Sequence, residues 1–332
     1  MAVKIVLLII FFTVMIGIGI YSRKKATDVN GFVLGGRSVG PWLTAFAYGT
    51  SYFSAVVFIG YAGQFGYRFG LASTWIGIGN AIIGSLLAWV ILGRRTRIMT
   101  KHLHSVTMPD FFGKRYGSRP MCVAASVIAF LFLIPYTASV YSGLSNLFEE
   151  VFHIDFRICV IAMAVLTGIY VIVGGYMATA LNDFIQGIIM LIGIMAVIGA
   201  VLSGHGGFMA AIKKLAAIPS DVMPGAYTSF FGPDPMGLLS VVILTSLGTW
   251  GLPQMVQKFY AIKDEKAIKT GTIISTLFAI VISGGCYFLG GFGQLTGVTA
   301  GADGKVPYDT IIPTMLSVLP DLLIGIVIVL VL

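Results

Sequence analysis

Gly174-Gly175-Tyr176-Met177-Ala178-Thr179-Ala180-Leu181-Asn182-Asp183-Phe184-Ile185-Gln186-Gly187 sets a carboxylate, Asp183, inside a run otherwise apolar enough to cross a membrane. An ionised Asp at the bilayer centre costs about 2.5–3.5 kcal/mol even on the lenient insertion scale. The other acidic residues fall near expected helix ends or in loops. A carboxylate kept at that cost faces a cavity, an ion or a polar partner, and so marks a functional position. The structural alternative is an Asp that caps a helix starting just after the Gly-Gly turn, a role that Asn182 beside it would also suit.

The chain around this stretch is 57% hydrophobic and only 10% charged over 332 residues, with a mean hydropathy of +0.95. Soluble domains carry about 25% charged residues, so an all-α polytopic membrane protein is expected. Cys122, Cys159 and Cys286 all lie in apolar runs without metal-ligand spacing and read as small buried hydrophobes. Membrane spans need about 17–25 mainly apolar residues. Runs of that kind occur near 4–22, 42–66, 71–93, 120–147, 157–174, 179–203, 236–257 and 271–297, with a ninth from about 320. The first lacks a small-residue cleavage site and ends in Arg23-Lys24-Lys25, which favours a retained helix over a signal peptide. The last run reaches Leu332 with no flanking charge or polar tail, so the chain is expected to be incomplete at its C-terminus.

Basic residues set the expected orientation. With the N-terminus outside, most of the 21 Lys and Arg fall in inner segments. These are 23–40, 94–119 and the stretch carrying Lys258, Lys263, Lys266 and Lys269. Acids such as Glu149, Asp155, Asp221, Asp234, Asp309 and Asp321 gather outside. The net charge of +8 is thereby accounted for by topology, and no nucleic-acid partner is needed. The chain reads as one transporter-sized membrane domain over 1–332. Its cytoplasmic loops are 23–40 and 94–119, and the Gly/Pro-rich 204–235 is extracytoplasmic, with a short amphipathic helix expected near 208–218. The expected location is the plasma (inner) membrane.

Walker, HExxH and GxSxG motifs are absent. His102 and His104 read as solvated loop histidines, and Gly77, Gly79 and Gly84 as helix contact points. Two spans differ from the rest. The second clusters Gly49-Thr50-Ser51 and Ser54 at mid-depth, and the seventh reads Thr245-Ser246-Leu247-Gly248-Thr249-Trp250-Gly251-Leu252-Pro253-Gln254. Small residues and Pro are where helices unwind, although small residues also serve ordinary close packing. Two interrupted spans in corresponding places point to an inverted-repeat transporter, in which freed carbonyls hold a cation and a half-helix N-terminus faces an anion.

At this point the chain resembles the sodium:solute symporter family over nearly its whole length. The matching pieces are Phe32-Val33-Leu34-Gly35-Gly36-Arg37-Ser38, Gly49–Ser54, Gly174-Gly175 leading to Asn182–Gly187, Gly251-Leu252-Pro253-Gln254 with Lys263-Asp264, and Asp309–Pro313 before Pro320. The resemblance implies a LeuT-type bundle of two inverted five-helix repeats after one extra helix, the second repeat incomplete here. It also implies a sodium site between the second and ninth helices, with the carbonyls of Thr50 and Phe53 as its first half. Asp183 would belong to a further sodium site or to sodium coupling. For the solute, proline-type members imply Tyr136, Thr249, Trp250 and Pro253. Sugar-type members imply Val57, Asn80 and Ser246, with Tyr61 near an outer gate.

The departures narrow the solute. Val57 stands where sugar-transporting members carry a glutamine, which removes a hydrogen bond to sugar. Tyr52 and Thr249 stand where proline-type members carry aspartate and tyrosine, and Tyr52–Ser54 with Ala178–Asp183 look more like the pantothenate and monocarboxylate branch. The expected function is therefore sodium-coupled import of a small organic solute, carboxylate-bearing or an amino acid such as proline. No cofactor other than the coupling sodium ion is implied, and no enzymatic activity. Proton coupling through Asp183 and a transporter-shaped sensor are the alternatives.

Overall fold

The computed structural model describes residues 2–25, 28–301 and 304–331. Leu332, on which the expectation of an incomplete C-terminus turns, lies outside them. The elements are helical, and among the described residues the one β feature is an isolated parallel bridge between Val39 and Ile262.

The long helices are delimited by residues that satisfy their end groups. Helix α1 (Ala2–Ser22) is followed by the short α2 (Val29–Leu34), capped by the Asp28 side chain. Pro41 opens α3 (Pro41–Tyr52), where its missing N–H costs nothing. A π-helical turn, Val56–Tyr61, then leads into Ala62–Phe69, and together they form α4. Helix α5 runs from Thr74–Gly79 through the π-helical stretches Asn80–Leu87 and Trp89–Gly93 into Arg94–His102. Thr107 and Ser118 cap α6 (Met108–Tyr116) and α7 (Arg119–Phe152). The connector 94–119 is therefore largely helical.

A continuous helical trace of 49 residues follows, Phe156–Gly204. At about 1.5 Å per residue it would be more than twice as long as a bilayer core is thick. It divides at Gly175, whose φ of 59° and ψ of −159° are open to glycine and strained for other residues. The two halves are α8 (156–174) and α9 (176–204). Asp183 lies two turns inside α9, so the capping alternative does not hold. Helix α10 (Phe208–Ala216) matches the amphipathic helix expected in the outer connector. Then come α11 (Pro235–Gly248), a 3-10 turn Thr249–Gly251, and α12 (Pro253–Ala261), bent 52° from α11. Asp264 caps α13 (Glu265–Gly290), and α14 (Tyr308–Ser317) and α15 (Asp321–Val331) complete the described chain.

Helix α13 is the axis of the bundle and packs on α3, α4, α5 and α9. Close approach replaces a hydrophobic drive here, because lipid is as apolar as the core. A Cβ on Gly66 would fall on the Gly290 backbone, and one on Gly290 would fall on the Ala62 carbonyl. The buried rings of Tyr48, Trp89 and Phe259, with centroids 5.1–5.7 Å apart, tie α3, α5 and α12 together. Helices α8 and α9 pack on α1 and α15, and the Lys4 ammonium meets the Asp321 carboxylate at 3.1 Å.

Candidate functional site: two broken helices, a central cavity and a buried ion pair

The break in the second span falls at Phe53, slightly beyond the glycine that attracted notice. Gly49 is helical, and a Cβ there would collide with the Phe278 ring, so it serves close packing. Phe53 leaves the helix (φ −101°, ψ 53°) after its N–H reaches Gly49 O at 2.9 Å. The second half begins with Val57 and Phe58 N–H donating to Ser54 O at 2.9 and 3.1 Å. A helix leaves its last four carbonyls without intrahelical partners. Here these belong to Thr50, Ser51, Tyr52 and Phe53, and they include both carbonyls expected to meet sodium.

In the seventh span the break is at Leu252, in extended backbone (φ −74°, ψ 123°). Pro253 is the first residue of α12, where its missing N–H removes no hydrogen bond. A cavity of about 440 Å³ lies between the two breaks. Ser51, Tyr52, Ser54, Val56, Val57 and Tyr61 come to it from the first break, and Thr245, Gly248, Thr249 and Leu252 from the second. Asn80, Tyr136 and Tyr287 close it, and no charged side chain is among the described residues lining it. Both flanking π-helical stretches reach this cavity, and π turns recur at functional positions. Val56, Tyr61 and Ser139 also line a neighbouring cavity of about 390 Å³. Gln64 and Asp309 join that one to a third, of about 780 Å³, at Glu149 and His153. All three border α7, whose most apolar stretch contains no buried residue.

Asn80 organises the cavity wall. Its Oδ1 accepts from Thr245 Oγ1 at 2.9 Å and Ser246 Oγ at 3.0 Å, and its Nδ2 donates to Ser283 Oγ at 3.4 Å. Tyr52 donates from across the cavity to Thr245 O at 3.0 Å. Of the expected solute residues, Tyr61, Asn80, Tyr136 and Thr249 meet in this cavity together with Val57. Ser246 is fully buried behind it on Asn80. Trp250 turns its Nε1 to Ile83 O at 3.0 Å, and Pro253 lines a separate apolar groove between α6 and α7.

The second polar region lies where α3, α9 and α12 meet. The Lys258 ammonium is 3.5 Å from Asp183 Oδ2 and 5.2 Å from the centre of the Tyr176 ring. The Thr50 hydroxyl is a further hydrogen-bonding neighbour of the carboxylate. Lys258 is 6% exposed. The expectation of a solvated inner-loop lysine is thus corrected, because the charge sits on the inward face of α12. Just beyond it the chain is clamped. Arg37 donates to Tyr260 O, Thr100 O and Ser105 O, while Arg97 donates to Ile262 O and Lys263 O. The Val39–Ile262 bridge lies between the two arginines.

Sequence reasoning missed Lys258 and Tyr287. Lys258 follows Gln254 by one turn within the apolar Met255-Val256 and Phe259-Tyr260 pairs, which was the available signal. Tyr287 follows Ser283 by one turn on α13, and its buried hydroxyl lies beside Asn80 at the cavity wall.

The profile of the Sodium:solute symporter family matches residues 32–332. The osmoregulated proline transporter OpuE of Bacillus subtilis (strain 168) is 30% identical over 285 residues, covering 85% of this chain and 56% of its own length. Sodium/proline symporter 2 of Staphylococcus saprophyticus is 31% identical over 268 residues, or 79% of this chain and 51% of that protein. A sodium/proline symporter of Staphylococcus aureus (strain NCTC 8325 / PS 47) is 32% identical over 272 residues, with the same coverage. The chain thus spans about half the length of the curated relatives it matches. Among solved structures, a Na+-coupled sialic acid symporter in a substrate-bound outward-open state superposes with a TM-score of 0.76 at 15% identity. That match covers 99% of this chain and 70% of the other, and it establishes the fold as LeuT-type.

Proposed function

The chain belongs to the sodium:solute symporter family, and from that premise we propose that it forms the solute-binding half of a sodium-coupled importer. Its solute is a small zwitterion or carboxylate, with proline the first to test. The observation that carries this reading is the central cavity between two helix breaks. At about 440 Å³ it suits a molecule of amino-acid size. It offers no side-chain charge, yet each end of a solute dipole has a partner. The backbone N–H groups that open α4 at Val56 suit a carboxylate, and the carbonyls that end α11 near Gly248 suit an ammonium. Asn80, Thr249 and the hydroxyls of Tyr52 and Tyr136 supply directional hydrogen bonds. Tyr52 and Thr249 are the places where this wall departs from the proline-type pattern.

Sodium has two sets of oxygens to meet. One is the carbonyl set of Thr50 and Phe53, and the other is the Asp183 carboxylate with the Thr50 hydroxyl. Binding at the first fixes the end of α3 at the break, whose next residues line the cavity, and this couples ion and solute through shared backbone. Inward movement of one sodium charge down the membrane potential contributes about 2.3 kcal/mol per 100 mV.

The test is uptake of labelled proline, pantothenate, short monocarboxylates and a hexose by proteoliposomes carrying the full-length protein. An inward sodium gradient is compared with matched potassium and proton gradients. Accumulation of one carboxylate-bearing solute only with sodium is expected. Accumulation that follows protons and ignores sodium sinks the reading.

A further inference from the structure

The Asp183 carboxylate already has a cation. Lys258 approaches it from α12, a different helix, and is buried as deeply as the surrounding apolar residues. A second cation on the same carboxylate would meet a like charge within a few ångströms in a medium where screening is weak. Asp183 therefore cannot hold sodium and the ammonium together.

Among the described residues the pair is also wider than the other ion pairs, Lys114–Asp110 at 2.9 Å included. Arg68–Asp234 and Arg94–Glu265 close at 2.6 Å in the open, and Lys4–Asp321 at 3.1 Å, whereas the buried pair stands at 3.5 Å. Charge-assisted hydrogen bonds ordinarily settle at about 2.7–2.9 Å. Lys258 is thus held loosely, by charge and by the face of the Tyr176 ring. A second partner is close by. Gln254 precedes Lys258 by one helical turn, so their side chains are neighbours on one face. Both of its amide heteroatoms are buried without a hydrogen-bond partner. A buried carbonyl oxygen left unpaired is costly, and the lysine stem is long enough to bring Nζ onto it.

We propose that Lys258 is a tethered cation that exchanges with sodium at Asp183. In the sodium-free protein the ammonium neutralises the carboxylate and links α9 to α12. When sodium arrives, the ammonium swings back along α12 to Gln254 Oε1, and that link opens. The link lies one turn from the Arg37 and Arg97 clamp on the end of α12. Ion occupancy at Asp183 is thereby communicated to the half-helix below the second break. This rests on the sodium-coupled reading above and goes beyond it by naming the protein's own competitor for the ion.

The test uses the full-length protein in proteoliposomes, with sodium half-saturation of solute uptake and the sodium-induced rise in melting temperature as two separate readouts. In Lys258→Gln the sodium concentration for half-maximal uptake should fall about fivefold, the lower end of ordinary coupling between sites. The melting temperature should become more sodium-dependent, because sodium is then the carboxylate's sole neutralising partner. Lys258→Arg, which keeps a cation, should stay near wild type. Gln254→Leu removes the alternative partner and should raise sodium half-saturation, which covers the case in which Lys258→Gln does not assemble. Sodium-driven wild-type uptake with half-saturation unmoved in both Lys258→Gln and Gln254→Leu overturns the exchange alone. Wild-type uptake that ignores sodium overturns the exchange together with the transport reading, so the two failures are distinct.

Discussion

The central cavity and the Asp183–Lys258 site solve the same problem in opposite ways. Both hold polar groups at membrane depth between a broken helix and its neighbours. The cavity does so without a charged side chain, using helix ends, the Asn80 amide and hydroxyls. The second site rests on two full charges, with the Thr50 hydroxyl and the Tyr176 ring beside them. Helix-end dipoles are fixed partial charges that lose little when a ligand leaves, so a cavity built from them can stand empty at little cost. A bare carboxylate cannot be left empty in the same surroundings at acceptable cost. An internal ammonium supplies the missing partner.

This contrast can be broken most decisively at Asp183. Asp183→Asn strands the Lys258 charge, and removing one member of a buried pair costs about 3–5 kcal/mol. Thermal unfolding in detergent should show that loss, and the Asp183→Asn/Lys258→Met double variant should recover most of it. In whatever Asp183→Asn protein assembles, sodium affinity should fall more than solute affinity. Equal losses would dissolve the division between the two regions.

Asn80→Ala probes the other region. It leaves the buried Ser246 hydroxyl without its acceptor, a cost of about 1–3 kcal/mol for an unsatisfied buried group, while Thr245 keeps Val241 O. Solute affinity should drop while sodium half-saturation at saturating solute is preserved. Tyr287→Phe is a gentler cut, since it removes one hydroxyl beside Asn80 and leaves the Asn80 bonds to Thr245, Ser246 and Ser283 in place. Folding should be unaffected, with a small change in solute affinity and none in sodium dependence.

The smallest effect lies outside both regions. The Gly237 N–H, and then the Arg68 guanidinium, hold the Asp234 carboxyl below its ordinary range. A depressed carboxyl stabilises the fold above its unfolded pKa of about 3.9, and that contribution is lost as pH falls through the lower folded value. Acidification below about pH 4 should therefore loosen the start of α11, as local hydrogen exchange near 234–238 would show.

Much of this was legible from residue order. Gly and Pro clusters announced both broken spans, because backbone interruption is a local property of those residues. Asp183 stood out because a carboxylate in an apolar run is costly wherever it points. Which glycine breaks and which packs was not legible. Gly49 looked like the break and proved to be the seat of Phe278, a residue more than two hundred positions away. Lys258 was misplaced for a related reason, since a lysine near an expected helix end reads as solvated until its helix is known to turn inward.

The amino-acid sequence by itself determined the solvent this protein lives in, which segments are its long apolar helices, and the family to which it belongs. Those properties follow from hydropathy, caps and motif order, which act over a few residues. Only the tertiary structure decided that Trp250 and Pro253 face away from the cavity that Tyr61, Asn80, Tyr136 and Thr249 share. It alone decided that Asp183 meets Lys258. Partners seventy-five positions apart are chosen by how α9 and α12 cross, and that crossing is set by packing around α13, which local residue order does not encode.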